Sequence, residues 1–195
     1  MNYGAAKERA RHFVNNRTDI DFDHLQPLVI ADLNVGLDVQ ENEGVKSLVP
    51  TPSSFADISV ADLPADFGRI KQVKGNKRNL DPTDIQTLLD HAGLRFDQYA
   101  ISGMQIWVQT SFALALVYSK RIAELVGDLD SNAILDRYST LYIYGLARHA
   151  NLQIQDFDAA ATYESAFVSA LELANINNVM ATFSAGLAPT SPYAS

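Results

Sequence analysis

The sequence predicts an α+β protein with four main helices, two N-terminal and two C-terminal, a small mostly antiparallel β-sheet inserted between them, and an extended C-terminal tail. Two observations predict this order of elements. Apolar residues recur at helical spacing near both ends of the chain, as they do when one face of a helix is buried. In the middle of the chain, short β-rich runs alternate with turn residues, which is typical of strands joined by hairpins.

Two helices are predicted in the N-terminal part, over residues 2–16 and 23–41. The apolar stripe of the first consists of Tyr3, Ala6, Ala10, Phe13 and Val14. The second can be capped by Asp21 or by Asp23, since a short carboxylate side chain can accept the free N–H groups of a first turn. Pro27 lies early enough in this helix to be tolerated.

A β-insertion is predicted over residues 46–119. Its β-rich segments are Ser47–Val49, Arg69–Val73, Gln98–Ile101, Met104–Val108 and Phe112–Tyr118. Ser102 and Gly103 separate two of these segments and predict a two-residue hairpin turn. A short helix with Pro82 at its first position is expected to end at Gly93.

Two further helices are predicted over residues 132–152 and 156–178, and an extended tail over 183–195. The residues that disfavour a helix in this last part of the chain are Gly186, Pro189 and Pro192. The tail also contains three apolar residues that could anchor it to a partner, Phe183, Leu187 and Tyr193. Two states therefore stay open, a disordered tail and a tail docked on another surface.

Composition indicates one globular domain, taken as residues 1–182. The chain has 195 residues, of which 47% are hydrophobic, a net charge of −8 and no Cys. The absence of Cys excludes zinc–thiolate sites, iron–sulfur clusters and a cysteine nucleophile. Because charged residues interrupt the first sixteen positions and no long apolar run follows, we expect a soluble protein that is not secreted.

The sequence carries no catalytic or cofactor-binding motif, so we predict neither enzymatic activity nor a cofactor. Glycine-rich phosphate loops, the nucleophile elbow and the helical zinc motif are all missing. The histidines lie in separate predicted elements: His12, His24, His91 and His149. The string Asp19, Asp21, Asp23 starts like a calcium loop but lacks the Gly and the Glu that such a loop requires.

One basic segment stands out in this acidic chain. Its five cations are Arg69, Lys71, Lys74, Lys77 and Arg78. The segment is either a solvated strand and turn, or a surface that meets phosphates or an acidic partner. Aromatic residues that would stack nucleic-acid bases do not alternate with these cations, which argues against sequence-specific reading of nucleic acid.

The order of short motifs after Asp62 resembles a family of phage proteins. LPADFGRIKQV (63–73) is similar to a Leu-Pro-x-Asp-Phe turn leading into a strand, and YAISGMQIWV (99–108) to a Tyr-x-Ile-x-Gly hairpin. The chain from 114 to 156 resembles a closing pattern in which a strand ending in Tyr and a basic residue precedes Ser-Asn and a tyrosine-rich helix. Together they resemble the head-to-tail adaptor proteins, also called connector or tail accessory proteins, of tailed bacteriophages.

This resemblance covers roughly residues 5–185 and implies a virion structural protein, present in the host cytoplasm during assembly. Family members sit beneath the portal as a ring, here expected to be a dodecamer that matches the portal. The ring prolongs the channel for double-stranded DNA, without reading its sequence, and offers tail proteins an attachment surface. QTSFA stands after Val108 where many relatives have prolines, so the link to the next strand is expected to differ.

Two other classes of function stay open from the residues alone. A virion-associated cell-wall hydrolase would take its acids from Asp62, Asp66, Asp128 and Asp136. Such a mechanism depends on the distance between two carboxylates, which a sequence does not supply. A small DNA-binding protein would use the segment 69–78 and would show a salt-sensitive affinity for DNA.

Overall fold

A computed structural model describes residues 1–186 apart from Ala56 and Arg95. The chain divides into two compact units. The helical unit contains Met1–Asn42 and the described residues from Ile122 onward, whereas the sheet unit is the continuous segment Glu43–Arg121. Helices and mostly antiparallel strands are both present, so the α+β prediction is confirmed.

The described residues form six α-helices. These are α1 (Tyr3–His12), α2 (Phe22–Gly36), α3 (Ile85–Asp90), α4 (Ala133–Arg137), α5 (Ser139–Gln153) and α6 (Phe157–Gly186). A short 3₁₀-helix spans Gln40–Asn42. None of these helices combines the length and the apolar composition needed to cross a bilayer.

Nine strands lie in the described part of the sheet unit. They are β1 (Glu43–Leu48), β2 (Thr51–Pro52), β3 (Ser59–Asp62), β4 (Phe67–Gly75), β5 (Arg78–Asn79), β6 (Asp81–Pro82), β7 (Gln98–Ser102), β8 (Gln105–Val108) and β9 (Leu114–Lys120). They form two sheets, one with the order β1-β9-β4-β5 and one with the order β2-β3-β8-β7-β6. Every pair is antiparallel except β6 with β7.

Short polar side chains fix the starts of α1 to α4. The caps that accept a backbone N–H of the first turn are Asn2 for α1, Asp21 for α2, Asp84 for α3 and Asn132 for α4. Of the two caps proposed for α2, the structure therefore uses Asp21. Asp23 lies in the first turn, where it forms an ion pair with Lys7 at 2.9 Å.

Three helix ends differ from the predicted bounds. Helix α1 ends at His12 because Asn15 and Asn16 adopt left-handed backbone angles, with φ of 55° and 57°. Helix α2 ends at Gly36, and α6 runs eight residues beyond 178. Gly186 stands at the end of α6, where glycine is favoured, so the first four residues of the tail expected over 183–195 are helical.

The predicted helix 132–152 is interrupted at Tyr138, which separates α4 from α5. The sequence gives no local reason for this break, since neither Pro nor Gly lies there. The side chains at the break are instead bound by a residue that is far away in the sequence. Arg137 forms an ion pair with Glu41, and the Tyr138 hydroxyl donates to the other oxygen of the same carboxylate at 3.3 Å.

Two turns in the sheet unit differ from their predictions. Pro82 lies in β6 instead of starting α3, because its neighbours bind β7: Asp81 N–H donates to Asp97 O, and Thr83 N–H to Tyr99 O, both at 2.8 Å. A proline fits such an edge strand, which needs no donor at that position. The β7–β8 hairpin turns one residue later than predicted, at Gly103 with φ of 61°, because Ser102 pairs with Gln105.

The core of the helical unit centres on α5. The buried face of this helix contains Leu141, Tyr142, Leu146, Ala147 and Ala150. Gly145 lets α2 and α6 approach, since a Cβ at this position would lie 2.8 Å from Val29 Cγ1 and 3.4 Å from the Phe167 ring. Close packing of three helices therefore depends on a glycine at position 145.

The core of the sheet unit lies between its two sheets. Side chains of both sheets share one buried cluster, which includes Val73, Tyr99, Ile106, Val108, Leu114 and Leu116. On the other face of the β7–β8 sheet, Ala100 packs with Leu88 of α3 and with Ile58. Adjacent residues such as Tyr99 and Ala100 thus point to opposite faces, as the pleat of a strand requires.

Candidate interaction surfaces

Two of the motifs quoted above meet in the sheet unit. Asp66, from the Leu-Pro-x-Asp-Phe turn, accepts a hydrogen bond from the Tyr118 hydroxyl at 2.9 Å. The rings of Phe67 and Tyr118 lie 6.0 Å apart between centroids. Burial, and then the hydrogen bond to Asp66, raise the pKa of Tyr118, so the hydroxyl stays protonated and remains a donor. These motif residues therefore stabilise the fold.

The Ser-Asn motif holds the start of α4. Asn132 accepts the N–H of Leu135 at 2.8 Å and donates to the Tyr142 hydroxyl at 2.9 Å. Ser131 donates to the Asp136 carboxylate at 2.6 Å. Both side chains thus serve in capping and packing. Contacts with other proteins are therefore expected on the exposed surfaces of the molecule.

The most basic of these surfaces is the tip of the β4–β5 hairpin, here called the basic hairpin and defined by Lys74, Lys77 and Arg78. Gly75 pairs with Arg78 across the turn. The turn residues Asn76 and Lys77 have φ of 48° and 65°, the left-handed pair of a type I′ turn. All three cations are exposed, and no ion pair joins them to a carboxylate of the described chain.

The other two cations of the segment are placed differently. Lys71 lies at an irregularity of β4 where the register shifts between Ile70 and Gln72, and it forms an ion pair with Glu43 of β1. Arg69 is exposed near the start of β4. The five cations of the sequence segment are therefore not equivalent, because Lys71 already has a carboxylate partner.

Next to the basic hairpin lies an apolar hollow of about 500 Å³. The hairpin lines one side through Gly75, Asn76 and Arg78, and the apolar lining is formed by Leu80, Leu94, Phe96 and Phe112. Phe96 is 62% exposed, Phe112 59% and Leu94 74%. Exposed apolar residues gathered in a concave surface with a charged rim are typical of a protein–protein contact.

A second hollow of about 530 Å³ adjoins the first, and Phe96 and Thr110 line both. Phe55 borders the second hollow and lies 5.9 Å from the Trp107 ring. The buried Gln109 donates to the carbonyls of Leu88 and His91 at 2.9 Å each and so anchors the end of α3. Next to Phe96, the carbonyl of Asp97 accepts the N–H of Asp81 at 2.8 Å. Hydrogen bonds thus hold the chain before and after Phe96.

Sequence reasoning missed the hollow. Leu94 and Phe96 stand singly beside polar residues or glycine, and single exposed apolar residues are common. Phe112 falls in the predicted β-rich segment Phe112–Tyr118, whereas β9 begins only at Leu114. Phe112 also lies in the QTSFA segment, where many relatives have prolines and the link to the next strand was expected to differ. Only the fold brings these residues together with Arg78.

The three tail residues proposed as anchors are only partly within the described chain. Phe183 lies in α6, which continues to Gly186. Leu187 and Tyr193 lie outside the described residues.

The four acids considered for hydrolysis all have structural partners. Asp62 accepts from Gln105, Asp66 from Tyr118, Asp136 from Ser131, and Asp128 pairs with Lys7. His149 and Arg148 likewise share the carboxylate of Asp32 and thereby join α5 to α2. Among residues 1–186, with the two gaps, no three His or acidic side chains are grouped so that they could hold a metal ion.

Comparison with known sequences agrees with the motifs. No curated protein matches the chain. A family model described as SU10 adaptor protein matches residues 1–190, nearly the whole length, and confirms the resemblance to phage head-to-tail adaptors. The chain therefore belongs to the SU10 adaptor protein family and is a structural adaptor protein of a bacteriophage virion.

Proposed function

We propose that the protein is a head-to-tail adaptor that binds the portal, assembles on it as a dodecameric ring, prolongs the DNA channel and offers tail proteins an attachment surface. The family match over residues 1–190 carries this proposal. The apolar hollow and the basic hairpin support it, because an adaptor must bind neighbouring copies and other virion proteins through exposed surfaces.

The charge of the chain supports a role as a DNA conduit. The net charge is −8, so the protein and a DNA duplex repel each other overall. Such repulsion lets a duplex slide through a ring without being held. The basic hairpin is the exception, and in this proposal it binds an acidic protein surface instead of DNA.

Portal binding is assigned to residues 175–195, the C-terminal segment that contains Phe183, Leu187 and Tyr193. Helix α6 has 30 residues and is therefore about 45 Å long, which lets it carry this segment away from its own start. The segment has no charged residue. Its apolar side chains suit a contact that forms only when the partner is present.

The first experiment is mass photometry of the purified protein, alone and mixed with the portal protein of the same genome. We expect a portal-bound species whose added mass equals a ring of copies. A complete lack of binding at every salt concentration would overturn the proposed function.

A truncation tests the assignment of the C-terminal segment. Removal of residues 183–195 should weaken portal binding at least tenfold, which corresponds to about 1.4 kcal/mol. The unfolding midpoint should not change, because Asn175 and Asn178, which bind the end of α2, are retained. Both quantities can be measured on one preparation, by mass photometry and by circular dichroism.

A matched variant separates the effect of the apolar side chains on portal binding from the effect of chain length. Leu187→Ser with Tyr193→Ser keeps every residue but removes two apolar side chains, and it should weaken binding in the same direction. If the truncated chain binds the portal as tightly as the full chain, the C-terminal segment is not the contact.

A further inference from the structure

A second surface of the chain combines an exposed aromatic side chain with a charge opposite to that of the basic hairpin. It is the start of α6, here called the acidic tip and defined by Asp156, Phe157 and Asp158. Phe157 is 66% exposed, and both flanking acids are exposed. Gln155 adopts a left-handed backbone with φ of 61°, which turns the chain sharply between α5 and α6.

The carboxylates of the acidic tip carry uncompensated charge. Asp156 accepts the N–H of Ala159 at 3.1 Å and so caps α6, but no Lys or Arg of the described chain pairs with Asp156 or Asp158. The basic hairpin has the reverse property, since Lys74, Lys77 and Arg78 have no carboxylate partner there. The acidic tip thus lacks a cationic partner, and the basic hairpin lacks an anionic one.

We propose that the acidic tip of one copy inserts Phe157 into the apolar hollow of a second copy, with Asp158 facing Lys77 and Arg78. This inference rests on the proposed function and names the contact between neighbouring subunits of the ring. Two different patches meet in such a contact, which is the heterologous arrangement that any ring requires. The aromatic ring supplies buried area, and the opposite charges select the partner.

Another exposed apolar site in the helical unit is a weaker candidate for the same hollow. Val126 is 92% exposed and Leu129 86%. One of the two acids beside them is neutralised, because Asp128 pairs with Lys7, and one oxygen of the other, Asp130, accepts the N–H groups of Val126 and Gly127. This loop therefore serves as a control surface of similar exposure with less unpaired negative charge.

The absence of Cys from the chain allows a direct test by cross-linking. Ala113→Cys places a thiol beside the hollow, and Ala161→Cys places one a helical turn beyond Phe157; both positions are exposed. Each variant is purified separately, and the two are mixed with a short bismaleimide, first free and then with the portal. We expect a covalent dimer in the mixture that neither variant forms alone.

Side-chain changes then identify the contact. Phe157→Ala in the Ala161→Cys chain should lower the yield of the covalent dimer roughly tenfold, the usual loss for a central aromatic anchor. Leu129→Ala in the same chain should leave the yield unchanged. Lys77→Glu with Arg78→Glu in the other chain should abolish the dimer, and Asp158→Lys in the first should restore it.

The outcomes separate this contact from the adaptor function. If rings form on the portal but the thiols at 113 and 161 do not cross-link, or if Leu129→Ala abolishes the cross-link while Phe157→Ala does not, the proposed contact is wrong and the adaptor function stands. If no ring forms on the portal, the proposed function fails. The cross-link between free copies then decides the contact by itself: a dimer supports it, and no dimer overturns it.

Discussion

Tyr118 joins three distant segments of the sheet unit. Its hydroxyl binds Asp66, its ring lies against Phe67, and the same ring covers Gly44 on the neighbouring strand β1. The side chain is only 4% exposed. A residue with so many fixed neighbours leaves no room for a change at any of them, because protein interiors are close-packed.

Gly44→Ala should destabilise the sheet unit. A Cβ at position 44 would lie 2.6 Å from Cε1 of Tyr118 and 2.7 Å from its hydroxyl oxygen, so the tyrosine would have to move away from Asp66. Overpacking of this kind costs about 1–3 kcal/mol. The free energy of unfolding, measured with urea, should fall by this amount.

Gly127→Ala is the matched control for this change. A Cβ there would meet only the Asp130 carboxylate, at 3.7 Å or more, which is ordinary contact. An equal loss of stability in both variants would show that the cost is that of glycine replacement in general and not that of the contact with Tyr118.

At the scale of elements, two asparagines of α6 bind the chain that leaves α2. Asn175 accepts the N–H of Asp38 at 2.8 Å and donates to the carbonyl of Gly36 at 2.9 Å. Asn178 forms the equivalent pair with the N–H of Gln40 and the carbonyl of Asp38, both at 3.0 Å. The backbone groups freed where α2 ends are thus satisfied by another helix.

Asn175→Ala should loosen the end of α2. The change removes two hydrogen bonds to backbone, each worth about 1 kcal/mol, and leaves the N–H of Asp38 and the carbonyl of Gly36 to solvent. Amide hydrogen exchange should become faster in residues 36–40 but not in α5.

Asn177→Ala is a control two positions away on the same helix, at an exposed residue for which the structure shows no comparable bond to this segment. If the exchange of residues 36–40 is unchanged in Asn175→Ala, the side chain does not hold the end of α2.

The elements differ in how far sequence could predict them. Helices and strands followed from periodicity and turn residues, as in α5 and the β7–β8 hairpin. The break at Tyr138 did not, because it depends on Glu41, far away in sequence. The end of α2 at Gly36 depends in the same way on α6. Local patterns predict where an element exists, and tertiary contacts decide where it stops.

At the scale of the whole molecule, buried tyrosine hydroxyls connect stability to pH. Burial and the nearby Asp23 charge raise the pKa of Tyr3, and burial raises that of Tyr142. In the unfolded chain both ionise near pH 10. The contribution of these two protonated hydroxyls to the free energy of unfolding is therefore complete below that pH. It is lost as the pH rises through the higher pKa of the folded state.

We accordingly expect the urea midpoint to fall steeply above about pH 10. It can be followed by circular dichroism between about pH 8 and pH 11. Tyr142→Phe should lower the midpoint at neutral pH, because Asn132 loses its partner, but it should show a shallower alkaline loss. A midpoint independent of pH over this range would contradict the assignment.

The candidate contact was only half predictable from sequence. The run of cations drew attention to residues 69–78, but strand pairing decides that Lys71 is used by Glu43 while Lys77 and Arg78 are not. Phe96 gave no pattern and Phe112 was predicted to begin a strand, because the fold alone makes the two residues neighbours. Phe157 lies in the helix predicted over 156–178, but a helical pattern does not show that its side chain is exposed, as it is at the start of α6.

The sheet unit begins and ends on adjacent strands, since Glu43 of β1 lies opposite Ser119 of β9. The Cα atoms of these two residues are therefore about 5 Å apart, so the segment starts and ends at nearly the same point. In evolutionary terms, such a segment is a cassette: one recombination event can exchange it whole without rebuilding the helices. In the contact proposed above, the hollow of an exchanged segment would meet the acidic tip, which belongs to the helical unit, so a new sheet unit keeps this contact only if its hollow fits the unchanged tip.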